Sequence, residues 1–487
     1  MSLSSTLANA LSGLGAASRG AEVVSANVAN ARTPGYGRRE LGLSALSIGG
    51  QGAGVRIDGI TRSVNRAILG DRRLADAAAA NADARTAFLS AAEGAFGTPG
   101  SPGALGDRIA ALSTALLQAA SRPDSEPRLQ GVLTAATDIA AKLKDITTTV
   151  QQARMDADAQ AGALVKELNT TLGQVDKLNA DILTERASGR DAAALMDQRQ
   201  RLVDRISQIV PVREMARDHD QIALFTTGGA ILLEGNPAQI GFSPVGVITP
   251  DMTLASGALS GLTINGQPVQ TTDGSVLGGG LLGAALAVRD ELAPAVQAQA
   301  DALARNLVER VQSPTTDPTL ATGAAGLLTD GGNAFLPAQP LDEVGLAGRL
   351  TVNAAADPGQ GGALWRIRDG LGAATPGDSG QAAQILRLQD ALDASRVPAS
   401  GPFIGAARSA AGLASDVLSQ IASDRLAADA RQAFTAARQT SLSDLEKQDG
   451  VDTDAELQSL ISIEHAYSAN ARVLKTVDDL MQQLLGI

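Results

Sequence analysis

The side chains best suited to catalysis or metal binding are few and scattered in this sequence. There are two histidines, His219 and His465, and no cysteine. His219 lies between two aspartates in an Arg-Asp-His-Asp run, and one imidazole beside adjacent carboxylates does not give the ligand spacing of a metal site. The run is typical of a solvated turn before a strand. His465 falls beside an apolar stripe near the C-terminus and is predicted to be an interface residue. No metal site is predicted.

Motifs for covalent or phosphate chemistry are also missing from the sequence. No G-x-S-x-G, H-E-x-x-H or G-x-x-x-x-G-K-[ST] pattern is found, and the glycine run 278–280 is not followed by Lys-Ser/Thr. The lack of cysteine excludes disulfides, thiolate metal ligands and cysteine nucleophiles. No catalytic residue and no cofactor are therefore predicted.

The size and charge of the chain favour a multidomain protein with helical cores. The 487 residues are enough for two to four domains, and with 44% apolar but only 2% aromatic residues the cores must be built from Ala, Leu and Val. The net charge of −12 argues against nucleic-acid binding. No apolar stretch of about 18 residues predicts a membrane-spanning helix, and no basic segment followed by an apolar run predicts a cleaved signal peptide.

The elements that must position an interaction surface lie at the two ends of the chain. Near the N-terminus, apolar residues recur at alternating gaps of four and three, which predicts a helix of roughly 39 Å with a narrow apolar seam. The seam consists of Leu3, Leu7, Ala10, Leu14, Ala17, Ala21, Val24 and Val28. The helix is expected to end before Pro34, since a residue that precedes proline avoids helical angles.

A second seam of the same kind lies at the C-terminus. It consists of Leu460, Ile463, Tyr467, Ala471, Leu474, Val477, Met481 and Leu484. A long isolated helix is marginal in water, so each seam needs a partner. The two ends are predicted to pack against each other or against copies of themselves. Two ordinary amphipathic helices on a globular core are an equally weighted alternative from periodicity alone.

The predicted fold class is mainly α with inserted β. We expect an elongated multidomain protein with paired N- and C-terminal coiled-coil helices, a helical bundle domain and a central β-rich domain. The predicted divisions are an N-terminal axial helix and loop (1–60), a first helical part (61–211), a β-rich domain (212–280), a helical return (281–312), a Gly/Pro-rich irregular or β insertion (313–380), a second helical part (381–449) and a C-terminal axial helix (450–487). Residues 41–58 are expected to be extended or loop-like, with a strand at 54–58.

The amino-acid sequences of both ends resemble those of a known superfamily. Residues 12–14 (Ser-Gly-Leu), 25–30 (Ser-Ala-Asn-Val-Ala-Asn) and 33–39 (Thr-Pro-Gly-Tyr-Gly-Arg-Arg) resemble the N-terminal signature of bacterial flagellar rod, hook and junction proteins. Residues 450–478, with Gly-Val-Asp at the start and Ala-Asn-Ala-Arg-Val-Leu later, resemble the matching C-terminal signature. Both signatures occur in the expected order.

An internal segment narrows the resemblance to one family. Residues 195–203 (Leu-Met-Asp-Gln-Arg-Gln-Arg-Leu-Val) are similar to a helix of the flagellar hook-associated protein 1 family, in which a β-domain follows. Residues 222–235 then make a credible hairpin with Gly228 and Gly229 at its turn. The resemblance covers the two ends and about 106–292.

The resemblance implies a structural subunit at the hook–filament junction without catalysis. It implies a ring of copies, contacts with the hook protein and the next junction protein, an export chaperone, and type III export to the extracellular flagellum without membrane insertion. The implied axial assembly motif is Asn27, Asn30, Thr33, Pro34, Gly35, Tyr36, Arg38 and Arg39. Its arginines are expected either in solvent or against acidic side chains of a neighbouring subunit, and its asparagines either at the helix end or against a neighbour. Arg39 departs from the family pattern, in which Gln is as readily expected.

Two alternatives remain from the sequence. Another axial protein, such as a hook or distal rod subunit, shares both terminal motifs, but the long helical stretch after residue 106 argues against it. A cell-wall hydrolase fused to axial ends needs a well-placed pair of acids, and nothing distinguishes such a pair among 52 acidic residues.

Overall fold

The computed structural model describes residues 3–48, 51–98, 101, 103–337 and 343–486. The helices are α1 Leu3–Asn30, α2 Arg66–Phe96, α3 Leu105–Ser121, α4 Glu126–Ala187, α5 Ala193–Ile209, α6 Gly280–Ala287, α7 Ala293–Gln312, α8 Leu346–Arg349, α9 Trp365–Asp369, α10 Ala383–Asp393, α11 Ala410–Gln448 and α12 Thr453–Leu485. The strands are β1 Arg38–Ile48, β2 Gln51–Ser63, β3 Val212–Ala216, β4 Ile222–Thr226, β5 Ile231–Glu234, β6 Asn236–Pro237, β7 Ile240–Gly241, β8 Leu262–Ile264, β9 Gln267–Val269, β10 Leu328–Asp330 and β11 Leu350–Val352. The predicted class, mainly α with inserted β and paired terminal helices, is confirmed.

The long helix α4 sets the length of the molecule. It runs without a break for 62 residues, which corresponds to roughly 93 Å. The apolar residues of this helix follow a heptad pattern in two stretches, 129–150 and 164–182. Between them the helix turns Arg154 and Asp158 inward, and these buried charges interrupt the apolar pattern but not the helix. Because one helix passes through two separate cores, the molecule is elongated.

The first core surrounds the N-terminal half of α4. It collects apolar side chains from α2, α3, α7, α10 and α11. Residues of the predicted insertion 313–380, among them Leu328, Phe335 and Leu350, are buried in this same core. The insertion therefore packs on helices, and its strands β10 and β11 form a two-stranded sheet of their own.

The second core lies between the C-terminal half of α4 and the small β-sheets. The four-stranded sheet has the order β3-β4-β5-β6, and the three-stranded sheet has the order β7-β8-β9. Strands β4 and β5 pair antiparallel, as the hairpin motif predicted, and Gly229 at the turn has a φ of 94°. Helices α5 and α6 close this core from the other side.

Residues 41–48 and 51–58 are extended, which was one of the two alternatives predicted for this segment, and the predicted strand 54–58 lies within β2. The two strands form a long antiparallel hairpin, in which Arg38 pairs with Ser63 and Leu41 with Ile60. Glycine and serine weaken the strand pattern of this segment, so propensity alone did not predict the full length of the strands. The hairpin is held against α1, where the Val55 amide donates to Oγ of Ser12 at 3.1 Å.

Helix α11 runs back along α2 towards the N-terminal segment. It pairs antiparallel with α2 through ion pairs such as Arg425–Glu93 at 2.5 Å and Arg72–Glu446 at 2.6 Å. Because of this pairing, α12, which follows α11, lies beside α1. Within the described residues, none of the helices combines the length and apolarity needed to cross a bilayer.

Candidate assembly interface

The two terminal helices pack antiparallel through small residues on α1. Gly13 faces Asn470, where a Cβ would lie 2.7 Å from Nδ2, and Gly20 faces Ile463, where a Cβ would lie 3.1 Å from Cδ1. Residue numbers rise along one helix and fall along the other, which gives the antiparallel direction. The missing side chains let the helix axes approach closely, so a larger residue at either position would have to displace the side chain of Asn470 or Ile463.

The predicted seams are only partly covered in the single chain. Val24 and Val477 are buried, whereas Val28, Tyr467 and Met481 are exposed. Ala10 and Ala17 are also buried, and the other described members are half-buried, namely Leu3, Leu7, Leu14, Ala21, Leu460, Ile463, Ala471 and Leu474. The side chain of Leu484 lies outside the described residues.

Further apolar side chains of the paired helices face outward. Leu11 is 52% exposed on α1, and Leu457 and Ile461 are 49% and 55% exposed on α12. Leu480 is also exposed near the end of α12. The pair therefore presents apolar surface that its own chain does not bury.

Asn27 organises the segment that follows α1. Its side chain is buried, its Nδ2 donates to the Arg39 carbonyl at 2.8 Å, and its Oδ1 accepts from the Arg39 amide at 2.9 Å. The Tyr36 hydroxyl also donates to this Oδ1 at 2.8 Å. Burial raises the pKa of Tyr36, so the phenol keeps the proton that it donates. Asn27 thus clamps the start of β1 onto the end of α1.

The turn after α1 is shaped by the next motif residues. Asn30 donates through Nδ2 to the Ala26 carbonyl at 2.9 Å, and its Oδ1 accepts from Thr33 Oγ1 at 3.1 Å. Thr33 and Pro34 are exposed. Gly35 has a φ of 75°, and a Cβ there would lie 2.7 Å from Cγ of Arg201. The turn therefore approaches α5 closely.

The two arginines of the motif pair with carboxylates of their own chain. Arg38 donates through Nε to Oε1 of the buried Glu456 at 2.7 Å, and this hydrogen bond raises the pKa of Arg38. Arg39 lies 3.4 Å from Oδ2 of Asp197 and stacks over the Tyr36 ring at 5.0 Å. Neither arginine needs a neighbouring subunit for its charge, so a contact with such a subunit remains a prediction.

Asp197 is the central acceptor of this arrangement. The buried carboxylate accepts from the Gly37 amide at 3.0 Å and from Arg62 Nε at 2.7 Å, besides its contact with Arg39. It belongs to α5, whereas its donors belong to the N-terminal segment. Asp197 thus joins the terminal helices to the body of the molecule, and we call Asn27, Arg38, Arg39, Asp197 and Glu456 the motif joint.

Asp197 and Glu456 were missed as functional residues. Both stand within segments that carry the family resemblance, but neither was given a role. The only sequence signal for such a role was a carboxylate in each segment. Only the folded chain shows that both carboxylates lie beside the basic pair, although they are about 160 and 420 residues away in the sequence.

The histidines take no part in this interface arrangement within the described residues. His219 is exposed in a short turn, at a φ of 56°, and His465 is exposed on α12. No group of three or more His, Asp or Glu in the described part of the chain is placed to hold a metal ion. What the site offers is hydrogen-bonded anchoring and apolar surface.

Comparison with known proteins adds three family models. Residues 7–36 match the flagella basal body rod protein model, and residues 447–487 match the flagellar basal body rod FlgEFG protein C-terminal model. Residues 89–326 match the flagellar hook-associated protein FlgK helical domain. The paired ends therefore have the sequence features of axial proteins of the bacterial flagellum, and α3 to α7 have those of one branch.

Curated relatives agree with this. The chain is 27% identical over 248 residues to flagellar hook-associated protein 1 of Escherichia coli, covering 49% of this chain and 44% of that protein. It is 24% identical over 220 residues to the protein of the same name in Bacillus subtilis, covering 43% of each. The flagellar hook junction protein FlgK from Burkholderia pseudomallei aligns over 54% of this chain and 47% of that one, with 20% identity and a TM-score of 0.45. Over these residues the chain is similar to the flagellar hook-associated protein 1 family, and the matched region spans less than half the length of the curated relatives.

Proposed function

We propose that this chain is a structural subunit of the bacterial flagellum that joins the hook to the filament and is required for filament attachment. The role involves no catalysis. Its support is the similarity of the chain to the hook-associated protein 1 family together with one physical observation: the terminal helices pair, yet leave apolar side chains of α12 in solvent.

The exposed apolar side chains make self-assembly the favoured use of this surface. Complete burial of a leucine or isoleucine contributes ~1.5–3 kcal/mol, and Leu457 and Ile461 have about half of that still to gain. In a closed ring every copy gains the same amount, so a small gain for one chain is multiplied over the assembly. A second copy of the chain is therefore the proposed partner at α12, with the hook protein and the next junction protein at the two ends of the ring.

The motif joint divides the chain into two parts with different proposed roles. Residues 1–60 and 450–487 form the proposed assembly arm, while residues 61–449, with the helical parts, the β-rich domain and the insertion, form the body. The axial motif residues hold the arm to the body through Asp197, and the pair Arg38–Glu456 joins the two ends of the arm to each other. In this proposal their role in assembly is to fix the arm's direction, rather than to contact a neighbour directly.

Export belongs to the same proposal. The family resemblance supports passage through the type III apparatus as an unfolded chain, with an export chaperone, to the extracellular junction. The buried side chains of α1, mostly alanine and valine, are compatible with this route, because small side chains bury little apolar surface and so oppose unfolding only weakly.

The decisive experiment is electron microscopy of a strain that lacks the gene. Hooks without filaments are expected. Absent hooks would contradict the junction role and would favour the alternative of a hook or distal rod subunit. The matches of both ends to rod-protein models are compatible with that alternative.

A matched pair of variants tests the surface itself. Ile461→Asp places a charge on the exposed apolar side of α12, whereas Ser462→Asp places the same charge at the neighbouring exposed position. Both side chains are exposed, so both proteins should melt like the wild type. Ile461→Asp should leave cells without attached filaments, and Ser462→Asp should keep them. Normal filaments on the Ile461→Asp strain would refute α12 as the assembly surface.

A further inference from the structure

A cavity rich in arginine lies beside the motif joint. It has a volume of about 500 Å³ and is enclosed by the end of β2, the start of α2, the end of α4, α5, β3 and the turn that contains His219. This size falls within the usual range for small-molecule sites. Six arginines line it against only Glu214 and Asp220, in a protein whose net charge is −12.

Four of these arginines are paired with carboxylates. Arg62 contacts Asp197, Arg73 contacts Asp204 and Glu214, Arg186 contacts Asp220, and Arg217 contacts Glu234. Their charges are accounted for by the fold. The two that remain are Arg66 and Arg199, and neither has a carboxylate within ion-pair distance among the described residues.

Arg199 is the unusual member of the pair. It is only 7% exposed, and its hydrogen bonds to the described residues all come from Nη1, to Asn179 Oδ1 at 2.8 Å and to the Asp220 carbonyl at 2.7 Å. Both acceptors are neutral. Burial lowers the pKa of Arg199 to about 10, because it outweighs the charges of Glu214 and Asp220, which raise this pKa. A buried cation without a carboxylate in ion-pair contact is costly, so its burial lowers the stability of the fold.

Arg66 completes the arrangement from the open side. It is exposed at the first turn of α2 and lines the same cavity. Together the two residues present one buried and one accessible guanidinium to the same space. We propose that this cavity binds an oxyanion, with Arg199 and Arg66 as its two cationic contacts.

The chemistry of guanidinium defines the ligand class. Its planar fork of N–H donors matches the paired oxygens of carboxylate and phosphate groups, and such charge-assisted hydrogen bonds are about twice as strong as neutral ones. Two sources supply this chemistry: a free oxyanion such as inorganic phosphate, or a carboxylate side chain of a second copy of this acidic chain. The proposal does not depend on the flagellar role.

Titration calorimetry with inorganic phosphate, at constant ionic strength set by chloride, tests the first source. The wild-type protein should show saturable binding, and Arg66→Gln should weaken it about tenfold through the loss of one charge-assisted contact. Arg199→Gln should abolish it. Arg205→Gln is the matched control, because Arg205 is on α5 as well but is exposed and pairs with Glu167 outside the cavity.

Sedimentation velocity at low and high salt tests the second source. Salt-sensitive self-association that Arg66→Gln weakens and Arg205→Gln does not would show that a carboxylate of a second copy fills the cavity. Equal behaviour of Arg66→Gln, Arg205→Gln and wild type in both experiments would overturn the proposal. Because Arg66 is exposed, its replacement leaves the fold intact. A lack of effect would therefore show that the cavity does not bind an oxyanion through Arg66, and could not be attributed to misfolding.

Discussion

Replacing Asp197 by asparagine should release the terminal arm from the body while leaving both folded. The carboxylate accepts from the Gly37 amide, from Arg62 and from Arg39, and one of its oxygens serves the first two donors. Asparagine has nearly the same shape but a single acceptor oxygen, and its amide nitrogen cannot accept. At least one of the three donors therefore loses its partner, and both arginines lose their counter-charge.

The size of the effect follows from these contacts. A hydrogen bond that involves a charged group contributes about 1.5–3 kcal/mol, and Asp197 is buried, so little of this is screened by water. If the Gly37 amide exchanges by local opening of the joint, a loss of this size speeds its exchange about 10- to 150-fold. Amides inside α4 should not change.

Hydrogen exchange followed by mass spectrometry on peptides that cover 33–41 measures this. Asp181→Asn on α4 is the control, since it removes the same charge from a side chain that makes no ion pair or side-chain hydrogen bond with the described residues. An acceleration below threefold at Gly37, or the same acceleration in Asp181→Asn, would refute the role of Asp197 as the anchor.

Three further predictions concern the helix pair and the first core. Leu474→Asp should purify as a folded monomer yet leave cells without filaments, while Asp479→Ala keeps them, as motility and filament staining would show; the charge removes ~1.5–3 kcal/mol of apolar burial at a half-covered position. Gly20→Val should accelerate hydrogen exchange across α1, because even its Cβ would lie 3.1 Å from Ile463; unchanged exchange would mean that the helices are not in close contact. Burial raises the pKa of Asp301 to about 6, so the folded protein holds a proton that the unfolded chain has released, and stability should fall as the pH rises from about 4 to about 6, by up to ~3 kcal/mol. Urea unfolding at several pH values should show this fall in the wild type and not in Asp301→Asn.

Periodicity was sufficient for the elements that bury one continuous apolar face. The terminal helices were predicted from the spacing of their apolar residues, and the β4–β5 hairpin was predicted from its Gly228–Gly229 turn. The reason is that a helix or strand with one buried face repeats its apolar residues at the period of its own backbone. No such repeat exists for the β1–β2 hairpin, whose glycine and serine residues are stabilised by contact with α1 rather than by propensity.

The terminal motif shows a different limit. Its residue types indicated hydrogen bonding and ion pairing, and the resemblance indicated a role in assembly. The residues with which they form these hydrogen bonds and ion pairs could not be predicted from the sequence. Whether Arg38 and Arg39 face solvent, a neighbour or their own chain depends on where Asp197 and Glu456 come to lie. Those positions are set by packing of helices far apart in the chain.

The sequence by itself therefore determined the family resemblance, the helical ends and the absence of recognisable catalytic motifs, because these depend on residue types and local spacing. Only the tertiary structure decided how far the seams are covered, that one helix runs through both cores, and that two arginines of one cavity have no ion-pair partner among the described residues. Each of these depends on distances between residues separated by tens to hundreds of positions. Local propensity carries no information about such distances, since burial and charge pairing are properties of the packed chain as a whole.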